Sequence, residues 1–184
     1  MMAPARLESL PLIEAACWQE LGAAANDRLH EWRIMALATL GDGEPELRSV
    51  VLREVDAPAR RLVFFTDSRS PKVPQLQAQS RATLLLWSQR LSWQLRLRVH
   101  CRVQTDGLEV SSRWARLKLS PAAQDYLSPL QPGTPIERWE LDRASREHFA
   151  VVGAVVVAMD WLELHADGHR RARFGAEGAT WLAP

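Results

Sequence analysis

The segment from Trp93 to Val103 constrains the fold most, because its side chains alternate strictly between apolar and polar types. One side of this segment carries Leu95, Leu97, Val99, Cys101 and Val103, and the other side carries Gln94, Arg96, Arg98, His100 and Arg102. Successive side chains of a β-strand point to opposite faces, so the pattern predicts a strand with one buried and one solvated face. Such strands are typical of antiparallel sheets and barrels.

The rest of the chain mixes strand and helix patterns without a regular alternation of the two. Further strands are predicted at Arg33–Leu40, Leu47–Val55, Arg61–Thr66, Arg81–Trp87, Val151–Leu164 and His169–Phe174. Helices are predicted at Pro11–Trp32, Lys72–Gln79, Glu109–Leu119 and Glu137–Phe149, with a turn over Gly41–Pro45. Strands that are interrupted by helices, rather than alternating with them one for one, favour an α+β fold with a mainly antiparallel sheet or barrel. We expect one domain over residues 1–184, in which residues 1–30 form an N-terminal helical segment.

The composition argues against several classes of protein. With 23 basic and 22 acidic residues the net charge is +1, so no global field indicates nucleic acid or an anionic membrane as a partner. Cys17, Cys101 and the scattered histidines form no metal-ligand spacing, which predicts reduced thiols and no metal site. The N-terminus lacks a signal-peptide pattern, and the longest apolar run, Val151–Met159, is too short to cross a bilayer. We therefore expect a soluble cytoplasmic protein.

Two clusters of residues carry candidate chemistry. Arg48 and Arg53 flank an apolar strand segment at a separation of five, which places them on opposite faces of a regular strand. They serve one ligand only if the strand ends there or is bulged, and the alternative is a pair of surface arginines. In the second cluster, Phe65–Lys72, a strand leads through hydroxyl and cationic residues into a helix start. This arrangement is typical of a phosphate site, and the alternative is a capped helix on a polar turn.

Taken in order, these segments resemble the pyridoxamine 5′-phosphate oxidase-like family of FMN-binding split β-barrels. The resemblance is carried by Arg48–Arg53, Phe64–Lys72, Leu84–Trp87, Trp93–Arg96, His169–Arg173 and Trp181–Pro184, and it runs from about Glu31 to the C-terminus. Leu119–Pro121 and the Pro132-Gly133 loop are similar to the shorter, oxidase-related branch of the family. The resemblance implies an antiparallel split β-barrel with flanking helices.

The resemblance also implies FMN as the cofactor. The positions that it places at FMN are Arg48, Ser49, Val50, Val51, Leu52, Arg53, Phe65, Thr66, Ser70, Lys72, Gln94, His165 and Arg173. Within this set it assigns the phosphate to Ser70 and Lys72, and the phosphate or the ribityl chain to Arg48, in keeping with the preference of a nearly dianionic phosphate for charged donors. It implies a homodimer with FMN at the subunit interface, so that the tail near Arg173 serves the partner's flavin. No catalytic residue is assigned.

The chain departs from the family pattern where the true oxidases hold their substrate. Pro71 replaces an arginine that precedes the lysine, Ser111–Pro121 does not reproduce a tyrosine, arginine and serine clamp, and Arg170–Arg173 lacks an Arg-x-His motif. The resemblance therefore implies an FMN-dependent oxidoreductase of a small molecule, for which pyridoxamine or pyridoxine phosphate is a candidate. The alternatives are a non-catalytic flavin- or haem-binding split-barrel protein and a dimeric structural protein that has lost its ligand.

Overall fold

A computed structural model describes residues 6–137 and 148–184 of the chain. Within them the strands are β1 (Ile34–Gly41), β2 (Glu44–Asp56), β3 (Arg61–Asp67), β4 (Arg81–Ser88), β5 (Trp93–Gln104), β6 (Phe149–Glu163), β7 (Arg170–Gly175) and β8 (Gly178–Leu182). The helices are α1 (Leu10–Asn26), α2 (Lys72–Ala78) and α3 (Leu108–Leu117), with short 3-10 helices at Glu31–Arg33 and Pro121–Tyr126. The expected α+β fold on an antiparallel barrel is confirmed.

The strands form one antiparallel sheet in the order β3-β2-β1-β4-β5-β6-β7-β8, and a further pairing of β3 with β6 closes the first six into a barrel. Strand β6 makes this closure possible because it is 15 residues long. Its first half, up to Val155, pairs with β3, whereas its second half, from Ala158, pairs with β7. The barrel is therefore split along β6, and β7 and β8 extend the sheet beyond it.

A tight turn between β1 and β2 sets the register of the strands that carry the first arginine cluster. Asp42 and Gly43 both have positive φ, at 49° and 84°, which is the backbone of a two-residue type I′ hairpin and explains the Asp-Gly pair. Thr39 thereby lies opposite Glu46, and Leu37 opposite Arg48.

The buried apolar residues of the described ranges 6–137 and 148–184 form two separate clusters. The larger fills the barrel beneath α1 and includes Leu37, Phe64, Leu97 and Trp161, all fully buried. The smaller lies outside the barrel wall, where Val110 and Trp114 of α3 pack on Tyr126, Phe149 and Val151. Strand β3 separates the two clusters, since Phe64 faces the first and Phe65 the second.

Several predicted boundaries are wrong. The first helix ends at Asn26 rather than Trp32, because Asp27 accepts a hydrogen bond from the Leu29 amide and His30 caps a new 3-10 turn. Glu44 and Pro45 belong to β2 rather than to the turn, and Gly178–Leu182 forms a strand that was not predicted. Helix α3 spans Leu108–Leu117 rather than Glu109–Leu119.

The predicted helix Glu137–Phe149 lies mostly outside the described residues. Its last residue, Phe149, begins β6, so that strand starts two residues before the predicted Val151. None of the helices in residues 6–137 and 148–184 has the length and apolar character needed to cross a bilayer.

Candidate functional site

Four predicted site residues lie around α2, since Lys72 of this helix binds Thr66 and Ser70, and Arg48 binds Gln75 of the same helix. These four side chains, Arg48, Thr66, Ser70 and Lys72, are here called the α2 pocket. The Lys72 Nζ atom donates to the hydroxyl oxygens of Ser70 at 2.5 Å and Thr66 at 3.1 Å. Both hydroxyl residues are buried. Residues 66–72 thus bring a cation and two hydroxyl groups to the end of β3, as the sequence predicted.

The ammonium group of Lys72 lies in an environment that disfavours its charge. Burial lowers the pKa of Lys72, the nearby charge of Arg48 lowers it further, and Asp67 offsets part of this shift. Asp67 is itself paired with Arg69 at 2.6 Å, and within residues 6–137 and 148–184 the hydrogen bonds of Lys72 are to hydroxyls rather than carboxylates. A desolvated cation of this kind is stabilised by an anionic ligand. The residues present therefore fit a phosphate group.

Arg48 reaches the pocket from β2 through a network of polar side chains. Its guanidinium donates to the Thr39 hydroxyl, to Gln75 Oε1 at 3.1 Å and to Glu46 Oε2 at 2.6 Å. Its charge affects the pKa of Lys72, so the two cations lie within electrostatic range of each other. The sequence hypothesis required this proximity.

The other cation of the predicted phosphate loop, Arg69, points elsewhere. Its guanidinium binds Asp67 and the backbone carbonyls of Ser128, Pro129 and Leu130. Arg69 therefore ties the proline-rich loop Ser128–Pro135 to the end of β3 and does not enter the α2 pocket.

Arg53 lies at a β-bulge in β2, where the pairing with β3 shifts between Leu52 and Glu54. The bulge does not bring Arg53 to Arg48, because Arg48 shares the face of the buried Val50 and Leu52, whereas Arg53 lies on the opposite face. Arg53 Nη2 donates to the Tyr126 hydroxyl at 3.1 Å, and its guanidinium lies 5.8 Å from the centre of the Phe65 ring. The structure thus places Arg53 and Phe65 on the α3 side of the barrel wall.

A cleft of about 240 Å³ opens between this part of β2 and α3, here called the α3 cleft. It is lined by Arg53, Glu54, Phe65, Arg113, Arg116, Leu117 and Ser120. Glu54 is held by Arg113, with the closest atoms 2.8 Å apart. Because one carboxylate faces three arginines, the lining carries a net positive charge that suits a carboxylate or phosphate.

Sequence reasoning missed Arg113, Arg116 and Ser120, since Ser111–Pro121 was expected to lack an anion clamp. Arg113 and Arg116 are three residues apart on α3, and that spacing places two side chains on the same side of a helix, while Ser120 lies in the turn that follows α3. The spacing was visible in the sequence. The contact of α3 with the bulge at Arg53, which makes the spacing meaningful, was not.

The other predicted flavin contacts on β2 lie on two different faces of the strand. Val50 and Leu52 are buried in the barrel core, whereas Ser49 is exposed and Val51 partly exposed on the outer face. Only Ser49 and Val51 present side chains to a ligand outside the barrel.

Gln94 and Arg173 lie on the outer face of the sheet and His165 lies in a turn, whereas Arg48 lies on the core-facing side of β2. Gln94 and Arg173 point outward from β5 and β7, opposite the face that fills the core. Next to Arg173 on this outer face, Asp160 holds Arg96 and Arg171 at 2.7 and 2.9 Å. His165 lies in the β6–β7 turn, where its Nδ1 accepts a hydrogen bond from the Asp167 amide. One chain therefore presents two separated sets of predicted FMN contacts.

The sequence and the fold of this chain match known proteins. Residues 15–105 match the family model described as pyridoxamine 5′-phosphate oxidase, FMN-binding domain. A pyridoxine/pyridoxamine 5′-phosphate oxidase of Thermosynechococcus vestitus is 42% identical over 88 residues, which are 47% of this chain and 40% of that protein. One of Caulobacter vibrioides is 29% identical over 139 residues, 73% of this chain and 61% of the relative. The chain thus matches less than two thirds of the length of these relatives.

Two solved structures share the fold over nearly the whole chain. A pyridoxamine 5′-phosphate oxidase-related, FMN-binding protein of Nostoc punctiforme superposes with a TM-score of 0.71 at 23% identity, covering 92% of this chain and 96% of that one. PhzG of Burkholderia lata, solved with tetrahydrophenazine-1-carboxylic acid, superposes with a TM-score of 0.74 at 22% identity, covering 96% and 94%. The matched residues 15–105 form an FMN-binding domain, so FMN is the cofactor of this chain.

Proposed function

Because this chain belongs to the pyridoxamine 5′-phosphate oxidase-like family of FMN-binding split barrels, we propose that it is an FMN-dependent oxidoreductase of a small anionic substrate. The α2 pocket holds the FMN phosphate, and the α3 cleft holds the anionic group of the substrate. Bound FMN supplies the redox chemistry, while the protein supplies binding, orientation and electrostatics.

The observation that carries the proposal is that β3 links two positively charged sites. The adjacent residues Phe65 and Thr66 face the α3 cleft and the α2 pocket, respectively. In the cleft, Arg53 and Arg116 supply charged donors, and Phe65 and Leu117 supply apolar walls. A substrate with a flat apolar part and a phosphate or carboxylate fits this lining. Pyridoxamine 5′-phosphate and pyridoxine 5′-phosphate belong to this class.

A further arginine, Arg33, interacts electrostatically with Arg53 of the cleft. Burial lowers the pKa of Arg33, and the charge of nearby Arg53 lowers it further. Arg33 donates to the backbone carbonyls of Ala24 and Ala25 at the end of α1. Arg33 is thus within electrostatic range of Arg53 but does not line the cleft.

A second copy of the chain is part of the proposal, because Gln94 and Arg173 face away from the α2 pocket. The same outer face exposes large apolar side chains, among them Leu47 at 70%, Ile34 at 53% and Trp87 at 40% of their surface. Ile34 and Leu47 lie on neighbouring strands β1 and β2, and Trp87 lies on β4, on the other side of β1. Apolar patches of this kind are typical of subunit interfaces. In a dimer built on this face, Gln94 and Arg173 of one chain complete the FMN site of the other.

The test begins with the visible spectrum of the purified protein, which should show the absorption of oxidised flavin. Under anaerobic conditions, pyridoxamine 5′-phosphate should bleach this absorption, and unphosphorylated pyridoxamine should do so only at much higher concentration. The Arg116→Ala variant should raise the KM for the phosphorylated substrate by about tenfold or more, the loss expected for one charged hydrogen bond. Its FMN affinity should equal that of the native chain.

The matched control is Arg28→Ala, which removes an exposed arginine from the turn after α1 and should change neither KM nor FMN affinity. An unchanged KM in Arg116→Ala would reject the α3 cleft as the substrate site. Bleaching by a nicotinamide donor alone would replace the proposal with a flavin reductase. Bound flavin that no donor bleaches would leave the non-catalytic flavin-binding alternative, and a haem absorption band would leave the haem-binding one.

A further inference from the structure

A carboxylate of the chain, Glu46, binds Arg48, one of the two cations of the α2 pocket. Glu46 and Arg48 are two residues apart on β2, so their side chains lie on the same face. Glu46 Oε2 accepts a hydrogen bond from Arg48 Nη2 at 2.6 Å, and Glu46 Oε1 accepts one from Gln75 Nε2 at 2.7 Å. One carboxylate thereby engages donors on both β2 and α2.

The two cations of the pocket differ in this respect. Lys72 donates to the uncharged hydroxyls of Thr66 and Ser70, and the nearby charge of Asp67 offsets only part of the unfavourable effect of burial. Arg48, in contrast, has an acidic partner, and its remaining hydrogen bonds are to Thr39, Gln75 and the Glu46 carbonyl. Within residues 6–137 and 148–184, Arg48 is thus ion-paired with a carboxylate, whereas Lys72 binds hydroxyl groups.

The hydrogen bond between Glu46 and Gln75 lies next to Gly41, which has no side chain. Gly41 lies at the end of β1, and a Cβ atom there would be 2.5 Å from Gln75 Nε2 and 2.6 Å from Glu46 Oε1. The absence of a side chain at Gly41 allows the Glu46–Gln75 hydrogen bond to form close to the strand. Glu46 nevertheless keeps 46% of its side-chain surface exposed, so its carboxylate has a path into solvent.

From these contacts we propose that Glu46 is a phosphate-competing carboxylate that sets the affinity of the α2 pocket for phosphorylated flavin. The phosphate of FMN and the Glu46 carboxylate compete for the same guanidinium nitrogen of Arg48. If the carboxylate stays, it repels the phosphate; if it moves into solvent, its ion pair and its bond to Gln75 are lost. Either way, Glu46 weakens the binding of the phosphate. This inference rests on the proposed FMN site.

The experiment compares FMN and riboflavin binding to the flavin-free form of the full chain, by titration calorimetry or by quenching of flavin fluorescence. Glu46→Gln keeps the shape of the side chain and removes its charge. We expect this variant to bind FMN about three- to tenfold more tightly, a gain of the size that an exposed ion pair and a nearby like charge produce. Riboflavin has no phosphate, so its affinity should not change.

The matched control is Glu44→Gln, two residues earlier on the same strand and face and also exposed, which should bind both flavins like the native chain. In an Arg48→Ala background, Glu46→Gln should increase FMN affinity by less, because the guanidinium nitrogen for which carboxylate and phosphate compete is absent. Unchanged or weaker FMN binding in Glu46→Gln would overturn the inference, and weaker binding would make Glu46 a residue that positions Arg48 instead.

The outcome also separates this inference from the proposed site. If Arg48→Ala and Lys72→Ala both leave FMN affinity unchanged, the α2 pocket itself is wrong. If they weaken FMN binding and Glu46→Gln does not strengthen it, the pocket stands and only the role of Glu46 fails. Thermal unfolding of each flavin-free variant identifies any change in affinity that follows from misfolding.

Discussion

At the scale of single residues, the main feature is a lysine whose environment opposes its charge. Lys72 is partly buried, lies within range of Arg48 and has a lowered pKa. Stability and ligand affinity should therefore respond in opposite directions to its removal. Such a conflict between stability and local chemistry is expected where a residue serves a ligand rather than the fold.

The Lys72→Met variant tests this conflict. Methionine keeps much of the volume and removes the charge, so the flavin-free protein should unfold at a temperature a few degrees higher. FMN affinity should fall by roughly 1.5–3 kcal/mol, the range for a hydrogen bond to a charged group. Calorimetric unfolding and FMN titration measure the two effects. A variant that is less stable without FMN, or that binds FMN normally, would contradict the assignment.

At the scale of elements, the hairpin of β6 and β7 is held by carboxylates that each bind two arginines. Glu163 is buried and accepts hydrogen bonds from Arg6 at 2.6 Å and Arg170 at 2.9 Å. Burial alone would raise the pKa of Glu163, but the two arginines outweigh it and the pKa is lowered. The Arg170 guanidinium also donates to the Leu7 carbonyl. Glu163 therefore links the segment before α1 to the hairpin that carries His165 and Arg173.

This linkage predicts how stability depends on acid. A carboxyl group whose pKa is lower in the folded state stabilises the protein above its unfolded value of about 4.5, and that contribution is lost as the pH falls through the lowered pKa. Glu163→Gln should destabilise the protein at pH 7 by about 1–3 kcal/mol. Its stability should also fall less steeply below pH 4.5 than that of the native chain.

Urea unfolding between pH 3 and 7 measures both effects. The control is Glu177→Gln in the β7–β8 turn, where the carboxylate is exposed, and its profile should follow the native one. Parallel profiles for the native chain and Glu163→Gln would show that the ion pairs of Glu163 contribute nothing to acid stability.

At the scale of the whole molecule, the question is how two separated sets of predicted contacts serve one cofactor. The α2 pocket is on the core side of β2, whereas Gln94 and Arg173 are on the outer face of β5 and β7. The proposed second copy brings both sets to one FMN. A dimer of this kind should let two defective chains together form one complete FMN site, which a site within one chain does not allow.

Hybrid dimers of Lys72→Ala and Arg173→Ala chains distinguish the two arrangements. If Arg173 serves the partner's flavin, a hybrid contains one site with both residues intact and one site that lacks both. It should bind one FMN per dimer at concentrations where both parent variants remain largely free of flavin. If the two residues serve the same chain's flavin, each site lacks one of them and the hybrid should behave like its parents. Two different affinity tags isolate the hybrid, and its flavin absorbance gives the stoichiometry.

Much of the fold follows from local patterns. The alternation of Trp93–Val103 predicted β5 with its buried Leu95 and Leu97, and the apolar run at Leu62–Phe65 predicted β3, because strand formation depends on neighbouring side chains along the chain. The end of α1 and the strand Gly178–Leu182 were not predicted. The first depends on side-chain caps at Asp27 and His30, and the second on pairing with β7.

The sequence by itself determined the cation-and-hydroxyl loop Thr66–Lys72 and, through its resemblance to a family, the FMN cofactor. These depend on residue types at fixed spacing along one stretch of chain. Only the tertiary structure decided that Arg69 turns to the proline-rich loop, that a bulge carries Arg53 to α3, and that Arg116 and Ser120 meet it there. It also decided that the carboxylate of Glu46 forms an ion pair with Arg48. Each of these depends on strand register or on contact between elements far apart in sequence, and local residue patterns do not encode such pairings.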